Sequence, residues 1–197
     1  MTGALFCLIS VLAWGAMFPV MEGAMKTIDP FYLTAIRYGT VAVIFLILLG
    51  MSEGVRTFDL EGKGLHLWFF GSLGFAGFGF LVFLGQQLIS GASGTIVAPT
   101  IMATMPMMTA IISWITTGKK PGRFTFAMIL LALLGVLVVI TKGDPGRLRS
   151  MGSSLMADLF ILLGAFCWVV YTYGSNKFKD WSALRYTSLT CALSLGS

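Results

Sequence analysis

Apolar residues run in long blocks along this chain, and polar residues are confined to short breaks between them. Six blocks are long enough to cross a bilayer, for which a helix needs roughly 20 mostly apolar residues. They are Gly3–Met25, Pro30–Met51, Leu65–Leu88, Thr95–Thr117, Phe124–Ile140 and Leu155–Gly174. A further stretch, Ser182–Ser197, is apolar over 16 residues and stops with no flanking charge. It reads as a span cut off midway, so the chain is expected to be C-terminally truncated. The alternation of a barrel strand is absent, and lipid offers no partner to a free backbone N–H or C=O. The expected fold is an all-α polytopic membrane protein with six full transmembrane helices and a partial seventh.

Composition supports the same class. Hydrophobic residues make up 57% of the 197 and charged residues 11%, against about 45–50% and about 25% in soluble domains. A soluble enzyme, a disordered tail and a nucleic-acid-binding domain are excluded. The net charge of +5 is scattered between apolar runs and reads as a topology signal. Arg56, Lys63, Lys119, Lys120, Arg123, Lys177 and Lys179 lie on one side, and Lys26, Lys142, Arg147 and Arg149 on the other. The bias places the N-terminus in the cytoplasm. Cys7, Cys167 and Cys191 all lie in apolar blocks, where buried thiols are expected, and one histidine offers no metal site.

The chain carries a faint internal repeat. Trp14 pairs with Trp168, and Arg37-Tyr38 with Arg185-Tyr186. The Trp-to-Arg gap is 23 positions in the first copy and 17 in the second. Five spans precede the second copy, so it would enter the membrane from the opposite side, as in inverted-repeat transporters. Residues 1–143 would form the first five-helix repeat, and 144–197 the start of an inverted second one.

Several pieces resemble the EamA family of the drug/metabolite transporter superfamily. They are AWGAMF at Ala13–Phe18, then Lys26, Asp29-Pro30 and Arg37, the stretch Ser90–Ile112 with Pro106, ALLGVLVV at Ala132–Val139, and ADLFILLGAFCWVVYTY at Ala157–Tyr173. The resemblance covers almost the whole chain and lies in the order of the pieces. It implies ten spans in two inverted repeats, a central cavity, a location in the cell (inner) membrane, and transport of small metabolites, often export. Glu22 stands where many members carry a basic residue, and Gly118-Lys119-Lys120 where many carry an acidic one. No substrate is carried over.

Eleven residues are candidates for the solute path: Trp14, Phe18, Glu22, Arg37, Gln86, Gln87, Thr95, Pro99, Pro106, Trp168 and Tyr171. Glu22 and Arg37 are charges inside spans, which cost about 2.5–3.5 kcal/mol on insertion scales. They line a path, with Glu22 coupling protons, or they form a structural ion pair. Trp14 and Phe18 share a helix face, and Trp168 and Tyr171 would mirror it. These rings stack on an organic solute or pack as core. Pro99 and Pro106 each remove a backbone donor and kink the fourth span, as a gate or as a static bend. Gln86 and Gln87 meet substrate or cap a helix end. The glycines Gly71, Gly74, Gly77, Gly79 and Gly85 read as packing positions.

The expected function is secondary transport, with no cofactor, no catalytic or metal site and no nucleic acid. The partners are a small-molecule solute and the bilayer. Neither a GxxxxGK[ST] loop nor HExxH or GxSxG appears. The alternatives are a non-transporting fragment, or a homodimer that closes the cavity between copies.

Overall fold

A computed structural model describes residues 2–89, 93–118, 120–141, 143–144 and 155–196, with the side chains of 2, 93–95, 136–137 and 139–140 outside the description. Thr95 as a hydroxyl donor, Lys119, Lys142, Arg147 and Arg149 therefore lie outside the described residues. Among the described residues every regular element is helical. The helices are α1 (Thr2–Ala24), α2 (Pro30–Glu53), α3 (Gly64–Gly71), α4 (Phe78–Leu88), α5 (Ser93–Met102), α6 (Met105–Thr117), α7 (Arg123–Thr141), α8 (Leu155–Gly174) and α9 (Ala183–Ser194). The π-helical turn Ser72–Gly77 joins α3 to α4, so the two are one span. Among the described residues five spans are long and apolar enough to cross a membrane, and Arg123–Gly135 of α7 adds a shorter apolar helix.

Helix ends follow local chemistry. Asp29 caps α2 by accepting the Phe31 N–H at 2.8 Å, and Pro30 sits at the first helical position, where no N–H is needed. Gly118 ends α6 in the left-handed conformation, φ 69°. The fourth span is broken between α5 and α6 at Ala103-Thr104. Pro106 falls in the first turn of α6, whereas Pro99 lies inside α5. Hydroxyls take up carbonyls around the break: Thr100 donates to Ile96 O at 2.7 Å and Thr104 to Ile101 O at 2.7 Å. Such local bonds keep an irregular backbone tolerable at membrane depth.

The third span is the hub, packed against α2, α8 and α9. Its glycines do not share one side. A Cβ on Gly71 would collide with the Thr190 carbonyl of α9. One on Gly74 would collide with the Tyr171 ring of α8. One on Gly79 would meet Thr34 and Tyr38 of α2 at 2.8 Å, and one on Gly85 would meet Ile161 and the Ala157 carbonyl of α8 at 2.6 and 2.7 Å. The backbone approach is thus distributed over three neighbours, with the π turn lying between Gly71 and Phe78. α1 packs on α4 and α5 and leaves Leu5, Phe6, Ile9 and Val11 on its outer face. Cys7 is also exposed there, while Cys167 and Cys191 are buried. An apolar face of this extent suits lipid rather than water.

Beyond the membrane, the connection after α2 is tied to the start of α9. Arg185 donates through Nε to Thr57 O (2.8 Å) and through Nη2 to Asp59 O (2.7 Å) and Glu61 Oε1 (2.9 Å). Glu61 Oε2 accepts from Trp181 Nε1 (3.1 Å) and Lys63 Nζ (2.9 Å). The charges facing Glu61 are Arg185 and Lys63. The Asp59 carboxylate accepts the Glu61 N–H at 3.0 Å. Glu53 accepts from Ser182 at 2.6 Å. The bonds from Lys63, Trp181 and Arg185 hold the Glu61 carboxyl down to about 2.

Two outcomes are expected. Gly85→Ala should destabilise by about 1–3 kcal/mol through overpacking against backbone. Gly135→Ala, whose Cβ meets nothing within 4 Å, should not destabilise; melting curves in detergent check both. A carboxyl lowered from 4.5 to about 2 contributes stability that is present above 4.5 and lost as pH falls through about 2. The tie should therefore hold through pH 4.5 and dissolve only as pH falls through about 2, read from Trp181 fluorescence in the native protein against Glu61→Gln.

Candidate solute-path site

α8 carries the residue on which the site turns. Trp168 contacts four rings, with centroids at 5.7 Å (Trp14), 5.0 Å (Phe78), 5.3 Å (Tyr171) and 6.4 Å (Phe75). Trp14 in turn stacks on Phe78 at 6.2 Å with an interplanar angle of 11°. The cluster continues through Tyr171 to Tyr186 (5.2 Å) and through Phe75 to Tyr38 (5.1 Å). Pairs at such separations add about 0.5–1.5 kcal/mol beyond their area. The rings form a wall from α1 across the hub to α8 and α9.

An open groove of about 510 Å³ lies between α6 and α8 and meets this wall at Trp168. Trp168, Val169 and Thr172 line one side, and Met105, Pro106, Thr109, Ala110 and Ser113 the other. The hydroxyls of Thr116 and Tyr173 hydrogen-bond across the same two helices. One side offers an aromatic surface and the other offers hydroxyls. The site can stack on an apolar organic solute and hydrogen-bond its polar groups.

The expected residues divide in three. Trp14, Trp168 and Tyr171 come together in the ring wall, and Phe18, buried on α1, packs in the same core as Phe78. Pro106 lines the groove, whereas Pro99 is half-buried inside α5. The others lie elsewhere. Gln86 is buried, and its Nε2 donates to the Phe18 carbonyl at 3.1 Å, tying α4 to α1. Its Oε1 has no hydrogen-bond partner among the described residues. Gln87 is exposed. Glu22 is half-buried one turn beyond Phe18. The Arg37 guanidinium lies over the rings of Tyr38 (4.7 Å) and Phe83 (5.4 Å), and its buried Nη1 has no hydrogen-bond partner among the described residues.

Arg37 and Arg185 are not equivalent in place. Arg37 lies about two turns into α2, whereas Arg185 lies in the first turn of α9 and bonds loop carbonyls. The six missing positions of the second copy fall between Trp168 and Arg185, which draws the second arginine out to the aqueous end. Phe75 and Phe78 were hidden from sequence reasoning among the glycines of span 3. Their signal was the small residue beside each ring, Gly74 and Gly77, which leaves room for aromatic neighbours.

Residues 1–141 match the family described as EamA-like transporter family. The chain belongs to the EamA-like transporter family. This EamA-family chain is 46% identical over 189 residues to the uncharacterized transporter YrdR of Bacillus subtilis, covering 96% of the chain and 59% of that protein. It is 29% identical over 180 residues to the uncharacterized transporter YyaM of the same organism, covering 91% and 57%. It is 23% identical over 175 residues to the aromatic amino acid exporter YddG of Salmonella typhimurium, covering 87% and 58%. The chain therefore spans less than two thirds of the length of these relatives. No solved structure matches it. The family and the apolar spans make it an integral, multi-pass membrane protein of a transporter family.

A double-mutant cycle on the ring wall is expected to be coupled. Trp14→Leu and Trp168→Leu together should cost less than the sum of the single changes, by about 0.5–1.5 kcal/mol, measured by unfolding of the detergent-solubilised protein.

Proposed function

We propose that this chain supplies the first five-helix repeat, and the opening of an inverted second repeat, of a secondary transporter that exports small organic solutes by alternating access. Residues 1–143 are the first unit and 144–197 begin the second; the N-terminus faces the cytoplasm of a cell whose inner membrane holds the protein. One observation carries the reading. Trp14 and Trp168, the residues that the repeat pairs, meet at 5.7 Å. Positions related by a two-fold axis touch only close to that axis, and midplane solute sites of inverted-repeat transporters lie at the repeat interface. Trp168 of this pair also lines the groove between α6 and α8.

The solute favoured by the wall has an apolar or aromatic body and polar groups within reach of Thr109 and Ser113. That the relative YddG is named an exporter of aromatic amino acids agrees with this class and with the direction. Glu22, Arg37, Gln86, Gln87 and Pro99 act outside the ring wall in this reading, by packing, by shaping the spans or by reaching the cavity from its far side. The cavity is completed within the full reading frame; a homodimer is the alternative way to close it.

The test is overexpression of the full reading frame in a bacterial host, with untargeted measurement of small organic solutes in cells and medium. At least one solute should shift outward severalfold. Ala110→Phe, which fills the groove, should abolish the shift at unchanged protein level, while Ile115→Ala, exposed and outside the groove, should leave it intact. If no solute changes its distribution, the transport reading is wrong.

A further inference from the structure

Arg185 is placed where helix electrostatics disfavours it. It lies in the first turn of α9, next to the positive end of the helix dipole. Its guanidinium is held from outside the helix, by three acceptors in the connection after α2: the carbonyls of Thr57 and Asp59 and the Glu61 carboxylate. The same guanidinium lies 3.8 Å from the centre of the Trp181 ring, and the Trp181 indole N–H donates to Glu61. Lys63 faces the other side of this knot, 5.4 Å from the Trp181 ring. Glu61 takes a left-handed backbone, φ 49°, which a residue with a Cβ keeps only where its surroundings fix it. The connection is therefore shaped to present one carboxylate to α9.

The knot is strong in sum and breakable in parts. Glu61 and Lys63 keep 41% of their side-chain surface in water, and an exposed ion pair contributes little by itself. It also borders something. A cavity of about 540 Å³ opens between the end of α8 and the start of α9, lined by Tyr171, Thr172, Lys179, Trp181, Ser182 and Tyr186 among others. Thr172 lines both this cavity and the groove beside Trp168. Tyr171 is at once a wall of the cavity and a member of the ring wall.

We propose that Arg185, Glu61 and Trp181 form a latch that holds the connection after α2 to the start of α9, closes the vestibule leading to the solute groove, and opens in each transport cycle. The latch rests on the transport reading and adds to it a named gate. Opening exchanges the Arg185 bonds for water, with Glu61 left charged, and parts the connection from the start of α9, while the body of the helix stays packed on α2 and against Gly71. Ser182, bonded to Glu53, is the outer half of the same closure.

Distances decide it without any knowledge of the solute. Nitroxide labels at Val55→Cys and Asp180→Cys, in the full reading frame with exposed Cys7→Ser, report the gap across the latch in liposomes by pulsed dipolar spectroscopy. Two distance populations are expected. Glu61→Gln should raise the longer one about two- to fivefold, the shift that an exposed ion pair of ordinary strength gives. A Glu53→Cys/Ser182→Cys pair, oxidised to a disulfide before labelling, should remove the longer population. One distance, the same in native, Glu61→Gln and locked protein, would mean a static clamp and overturn the latch. Failure of the transport reading shows separately, as unchanged solute distributions in the export measurement, whatever the distances do.

Discussion

The close approach of backbones at the third span is the constraint on which the rest of the structure depends. Helices in lipid gain little from the hydrophobic effect between them, so association rests on contact and therefore on small residues. Here glycines at 71, 74, 79 and 85 let α9, α8 and α2 come so near that a single methyl group would strike a backbone carbonyl or a ring. A straight α-helix advances about 100° per residue, so these four positions already fan over a sector of about 140° and reach different neighbours. The π turn at Ser72–Gly77 lies within the same stretch. One span thus serves three partners, and the wall of rings is built on it.

The rings follow from that packing. Phe75 and Phe78 project from the turn and from the start of α4, and the space beside Gly74 and Gly77 is taken by Tyr171 and Cys167 of α8. Trp168 is then one turn from Tyr171 and faces the same rings. Trp14 reaches this assembly from α1, a helix whose other faces are largely bare. The Gln86 amide, donating to the Phe18 carbonyl, anchors α1 a turn away. Towards its end α1 also packs on α5 and, through Met17, Met21 and the following Met25, against Leu33 and Phe83.

Span limits were legible in the sequence because block length and lipid thickness set them: Leu155–Gly174 is one helix, and Pro30 begins another behind its Asp29 cap. The family was legible in the order of short pieces. Depth and partner were less so. Arg37 and Arg185 look alike in a sequence repeat, yet one lies within a span over two rings and the other at the water with three loop acceptors. A gap of a few residues before a helix shifts depth without changing which residues align. Gln86 and Gln87 are adjacent, yet one is buried and one exposed, because neighbours on a helix point about 100° apart. Glu61 gave no signal, since its role depends on a left-handed backbone and on partners more than a hundred positions away.

The hub and the polar knot divide the work by environment. Within the membrane, contacts are rings and glycines, whose interactions are short-ranged and insensitive to water. At the aqueous end they are charges and indole, each of which water can replace. The close contact at Gly71 and the packing on α2 hold the body of α9, and the Tyr186 hydroxyl donates to the Tyr171 carbonyl. About one and a half turns before the Gly71 contact, Arg185 ties the start of the helix to the connection. A helix body that cannot slip, with a start tied by groups that water can replace, is what the proposed latch requires, and in this chain both lie on α9.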